Sequence, residues 1–106
     1  MKILKMNGYE EEKKNIISRL ETSFRVRVLQ VEISPYFGNF MLIIETERSI
    51  FRFVRDRGYN NCEISQNKDF LHWTDDTSIG IPDDLKRDDF FKYVEYILES
   101  KQLRKC

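Results

Sequence analysis

Phe40-Met41-Leu42-Ile43-Ile44, then Ile50-Phe51-Arg52-Phe53-Val54-Arg55-Asp56, then Tyr59-Asn60-Asn61-Cys62-Glu63-Ile64-Ser65 follow one another closely, separated by the polar turn Thr46-Glu47-Arg48-Ser49 and by Gly58. The first run is continuously apolar, as expected of a central strand covered on both faces. The second alternates: Phe51 and Phe53 take one side and Arg52 interrupts the other. The third sets Cys62 and Ile64 against Asn61 and Glu63. A period of two with such short reversals predicts antiparallel neighbours joined as a meander.

On the N-terminal side, Phe24 to Ser34 also alternates, but the phase slips between Val28 and Leu29. A β-bulge would reverse the facing of the later side chains, and a strand buried on both faces would also produce the pattern. Pro35 ends the run, and Pro35-Tyr36-Phe37-Gly38-Asn39 has turn chemistry. From Asn7 to Thr22, Tyr9, Lys13, Ile16, Ile17 and Leu20 share one helical side. Asn7 with Glu10 has capping-box spacing, and Glu10 to Glu12 suit the positive end of a helix dipole.

On the C-terminal side, Gln66 to Asp69 reads as polar loop, Phe70 to Thr74 as a short edge strand and Asp75 to Gly80 as loop. Asp83 or Asp88 can cap a last helix in which Phe90, Phe91, Val94, Ile97 and Leu98 recur at helical spacing through about Leu103. The expected fold class is therefore α+β: an antiparallel meander of about four strands flanked by an N-terminal and a C-terminal helix, in one domain over residues 1–106. Phe40, Leu42, Ile44, Phe51, Phe53, Val94 and Ile97 are its expected core.

Composition agrees with one folded unit. The 106 residues are 41% hydrophobic and 34% charged, with eight Phe, five Tyr and one Trp, more aromatic than a disordered chain. Eighteen basic residues balance eighteen acidic ones, so no whole-molecule field draws nucleic acid or anionic membrane. Cys62 and Cys106 make no metal-ligand spacing and read as reduced thiols. Met1-Lys2-Ile3-Leu4-Lys5-Met6 lacks the apolar length and cleavage site of a signal peptide, and no window approaches the ~18 apolar residues of a membrane span. A cytoplasmic location is expected.

Catalytic signals are weak. The single histidine, His72, precedes Asp75 and Asp76, a poor ligand set beside true zinc patterns, and an edge-strand histidine explains it better. No nucleophile elbow or phosphate loop occurs. The expectation is no catalytic, metal or cofactor-binding residue and no enzyme activity. Arg52, Arg55 and Arg57, interleaved with Phe51, Phe53 and Tyr59, invite comparison with single-strand nucleic-acid binders. Asp56 breaks that surface, which favours a reading in which Phe51 and Phe53 pack inside while Arg55 and Arg57 lie outside.

The sharpest asymmetry is the acidic stretch from Asp75 to Asp89, which holds Asp75, Asp76, Asp83, Asp84, Asp88 and Asp89 against Lys86 and Arg87. A solvated loop with helix capping accounts for it simply. The functional alternative is a docking surface, where carboxylates imitate phosphates in a basic cleft and Trp73, with Tyr36 or Tyr59, supplies the aromatic anchor. On that reading Trp73, Asp75, Asp76, Asp83 and Asp84 bind the partner.

Ser34-Pro35-Tyr36-Phe37-Gly38-Asn39-Phe40, Arg55-Asp56-Arg57-Gly58 and Trp73-Thr74-Asp75 occur in an order that resembles small bacterial immunity-type proteins of polymorphic toxin and contact-dependent growth inhibition systems. The usual pattern has Gln after Arg-Asp-Arg-Gly, where this chain has Tyr59, and the match spans only residues 34–75. The resemblance implies a protein that neutralises a cognate toxin domain by stoichiometric occlusion, without catalytic residues, and leaves the toxin class open; the acidic stretch, as a mimic of phosphates, favours a nuclease, and no cofactor or membrane is expected. The alternative is a small nucleic-acid-binding or regulatory module built on Arg52, Arg55 and Arg57. Oligomeric state is not set by these residues.

Overall fold

A computed structural model describes residues 2–34, 39–75 and 80–105, with side chains from Glu10 onward. The order is α1 (Lys2–Ser23), β1 (Arg27–Ile33), β2 (Phe40–Glu45), β3 (Ile50–Asp56), β4 (Tyr59–Ser65), β5 (Thr74–Asp75), α2 (Asp83–Lys86) and α3 (Phe90–Ser100). The strands form one antiparallel sheet in the order β1-β2-β3-β4-β5. The α+β class with a helix at each end is as the sequence predicts. The sheet has five strands, one more than the four of the meander.

Leu42, Ile43 and Ile44 are all buried in β2, which explains its unbroken apolar run. Register places Leu42 opposite Phe53 and Ile44 opposite Phe51, while Ile43 meets Arg52 on the other face. On the first face Leu42, Ile44, Phe51, Phe53, Cys62 and Ile64 join Leu20 and Phe24 from the N-terminal side and Phe90, Tyr93, Val94, Ile97 and Leu98 of α3 in one cluster. Phe40 borders it, stacked 5.4 Å from Phe90. We call this the helix face and its opposite, which carries Met41, Ile43, Arg52, Val54 and Glu63, the outer face. Cys62 is buried, and Cys106 lies outside the described residues.

The phase slip in β1 is a bulge. Val28 pairs with Ile44 but Gln30 with Ile43, so Leu29 has no partner and is exposed while Val28 and Val31 both pack towards the helices. Residues 24–26 do not join this strand. Phe24, fully buried, instead bridges to Arg104.

Several boundaries differ from expectation. α1 begins at Lys2, so Asn7 is within the helix and not its cap; Ile3, Leu4, Lys5 and Met6 include strong helix formers that carry the helix past Asn7. Asp89, not Asp83 or Asp88, caps α3, its carboxylate accepting from the N–H groups of Phe91 (2.8 Å) and Lys92 (3.1 Å). Asp83 opens the separate short helix α2. α3 ends at Ser100 and not near Leu103, because Gln102 turns left-handed (φ 61°) and the N–H of Leu103 returns to the Leu98 carbonyl at 3.0 Å. Phe70 and Leu71 lie in a turn, leaving only Thr74–Asp75 as edge strand. Pro35 to Gly38 lie outside the described residues.

Gly58 has φ 78°, as its turn position predicts, and Arg57 (φ 53°) shares the left-handed region. Two consecutive positive φ values form the two-residue hairpin that joins β3 to β4 with the strands' own twist.

Candidate partner-docking surface

Ser65 ends β4 buried and starts a tightly bonded loop. Its Oγ donates to the Asp69 carbonyl (2.7 Å) and accepts from the Asp69 N–H (2.9 Å). The Asp69 carboxylate accepts the Leu71 N–H at 2.7 Å and bonds His72 Nδ1. Those two contacts, that with His72 the larger, hold the Asp69 carboxyl below its ordinary value of 3.8. With the peptide committed in this way, Phe70 and Leu71 project outward at 54% and 85% exposure. Large apolar side chains held in water by their own turn are uncommon and point to a surface that something covers.

Trp73 stands behind them. Asp75 pairs with Glu63, which pairs with Arg52, so alternation puts Trp73, Asp75, Glu63 and Arg52 on the outer face. The Arg52 guanidinium carbon sits 4.4 Å from the centroid of the Trp73 ring, and its Nε and terminal nitrogen donate to one Glu63 oxygen at 2.9 and 2.6 Å. The indole N–H donates to the Phe70 carbonyl (2.8 Å), and the Phe70 ring meets the indole edge-on at 6.2 Å. Phe70, Leu71 and Trp73 therefore form a pre-shaped apolar projection, with exposed Asp75 and half-buried Glu63 beside it.

The acidic residues read from the sequence divide into two groups. Asp75 belongs with Trp73 at the Glu63 end of β4, and Asp76 lies outside the described residues. Asp83 and Asp84 are exposed on α2 at the Tyr59 end, lining an open cleft with Tyr59, Lys86, Arg87 and Asp88. Glu63 and Tyr59 are four residues apart along the strand, or ~13 Å. Buried Asn60 fixes the second group: its Nδ2 donates to the Leu85 and Asp88 carbonyls, both at 2.9 Å, and its Oδ1 accepts from Arg55 at 2.9 Å. Arg55 also donates to the Asp88 carbonyl at 2.6 Å.

Arg55 is thus half-buried on the helix face, contrary to the expectation that it lies outside. Arg52 is on the outer face and Arg57 in the hairpin turn, so the three arginines share no surface that could track a nucleic-acid backbone. Asp56 makes a turn contact. The Asn39 side chain donates to its carboxylate at 3.3 Å and accepts the Arg57 N–H at 3.0 Å, so Asn39 of the Phe-Gly-Asn motif touches Arg-Asp-Arg-Gly directly. His72 is exposed and bonded to Asp69 within the loop.

Sequence reasoning missed Phe70 and Leu71, because the alternation from Leu71 to Thr74 resembles an edge strand. The available signal was Asp69, whose side chain can close a turn on the residue two places on. No described helix is long and apolar enough to cross a membrane. Comparison with protein-family models, with curated proteins and with solved structures finds no match to this chain.

Proposed function

We propose that this chain is an immunity-like binding protein that neutralises a cognate toxin domain, of nuclease type, by stoichiometric occlusion in the cytoplasm. The observation that carries the reading is the bonded loop presenting Phe70 and Leu71 in front of Trp73. An anchor already ordered in the free protein loses little conformational entropy on docking, and apolar anchors with a polar rim match the anatomy of tight interfaces. Asp75 and Glu63 at the rim favour a partner surface that is basic around an apolar recess, as the substrate cleft of a nuclease is. Asp83 and Asp84, at the far end of β4, serve as steering charges and not as part of the anchor.

Co-expression with the protein encoded immediately upstream, followed by a nuclease assay of the purified pair, tests this. Inhibition should saturate at one chain per toxin domain. Leu71→Asp should fold and melt as the parent, since that side chain has few protein contacts to lose, yet weaken inhibition by at least ~30-fold, the ~2 kcal/mol threshold of a hot spot. Full inhibition by Leu71→Asp would move the contact to another surface. An upstream product that is neither toxic nor bound would remove the reading altogether.

A further inference from the structure

At the edge of the core where the β2–β3 turn meets the chain beyond α3, a pocket of about 280 Å³ opens between sheet and helices. Phe51, Ile64 and Leu103 give it an apolar lining, and the turn Thr46 to Ser49 forms a lip of two hydroxyls. Arg25, Arg48 and Lys101 also line it, against the single carboxylate of Glu47.

Part of that charge serves the fold. One terminal nitrogen of Arg25 donates to the Gln102 carbonyl, and Lys101 lies 5.8 Å from the Phe51 ring centroid, both beside a helix C-terminus that favours cations. Arg48 has no such role. It is exposed on the turn, and among the described residues its guanidinium has no ion-pair partner. The lip is held independently of it, because Thr46 Oγ1 accepts the Ser49 N–H at 3.1 Å.

We infer that this pocket binds a small amphipathic carboxylate, its apolar body over Phe51, Ile64 and Leu103 and its anionic head at Arg48. The volume decides the size class. It lies at the small end of the ~300 to 1,000 Å³ range of ligand pockets, which admits a single ring or a short branched chain with a head group. The apolar lining argues against a bare inorganic anion, and the cations argue against a neutral hydrocarbon. Ile64 adjoins the Ser65 end of the Phe70 and Leu71 loop, but the site does not depend on the toxin-neutralising reading.

Titration of the full chain with sodium phenylacetate, followed by amide ¹H–¹⁵N NMR, tests the site. Saturable shifts should map to Arg48, Ser49, Lys101 and Leu103. Neutral phenylacetamide, which lacks the charge, and acetate, which lacks the body, should each bind at least ~10-fold more weakly, the scale of a charge-assisted contact or a buried ring. Arg48→Ala, on an exposed turn, should keep the parent melting curve and weaken phenylacetate ~3- to 10-fold. Absence of saturable shifts, shifts confined to other residues, equal binding of the amide, or unchanged affinity in Arg48→Ala would each overturn the inference.

Discussion

Asn60→Ala separates the two acidic groups energetically, because Asn60 holds one of them and does not touch the other. The side chain is 1% exposed and makes three hydrogen bonds, to the Leu85 and Asp88 carbonyls and from Arg55. Truncation deletes all three. The Asp88 carbonyl keeps its bond from Arg55, and the Leu85 carbonyl keeps that from the Asp88 N–H at 3.3 Å, so neither is left wholly unsatisfied although both lose their tie to the Asn60 side chain. At ~0.5 to 1.5 kcal/mol for each of the three net bonds, the expected loss is ~2 to 4 kcal/mol. With a urea slope of ~1 to 3 kcal/mol/M, the midpoint should fall by on the order of 1 to 2 M. Asn61→Ala is the matched control, exposed and on the adjacent position, and should stay within ~0.5 kcal/mol of the parent. Binding then discriminates between the surfaces. If Phe70 and Leu71 are the anchor, Asn60→Ala measured below its melting range keeps its dissociation rate, since only α2 has loosened. A midpoint equal to that of Asn61→Ala would refute the claim that Asn60 fastens α2 to the sheet, and a faster dissociation would transfer the anchor to the Asp83 and Asp84 cleft.

Phe53→Ala, at the fully buried centre of β3, should cost ~3 to 5 kcal/mol, read as a lower denaturation midpoint. Gly58→Val should cost ~1 to 2 kcal/mol from backbone strain alone, because an added Cβ meets open space at φ 78°; chevron kinetics would show which limb carries it. Asp69 titrates below 3.8 in the folded chain, so the loop order it confers is complete above that value and is lost as pH falls through the lowered one. Fluorescence of the one tryptophan, Trp73, should report that loss in acid, and Asp69→Asn should abolish the transition; an unchanged acid transition in the variant would assign it to another carboxylate.

How much of this was legible in the residues follows from where local and tertiary forces agree. The strands from Phe40 to Ser65 could be read because burial and alternation are set by the same side chains: Leu42, Ile44, Phe51 and Phe53 leave one workable register. The bulge at Leu29 was legible for the same reason, since a phase slip with half-buried valines on either side has few geometric solutions. Helix ends were not, because α1 runs through Asn7 on the propensity of its flanking residues and α3 stops at a left-handed Gln102 where glycine would have been the usual sign. Arg55 was misplaced because its half-burial depends on Asn60 and on the Asp88 carbonyl, partners that adjoin it only after α2 docks on β4. At the candidate site the acidic residues were visible, but their division between the two ends of β4 was not. Among the described residues, Phe70 and Leu71 are the one place where an apolar pair is turned away from the core by its own hydrogen bonds, although burying them would have been the favourable local choice. Conflicts of that kind between local preference and the fold tend to sit where a protein meets something else, which is the physical ground for placing the partner there.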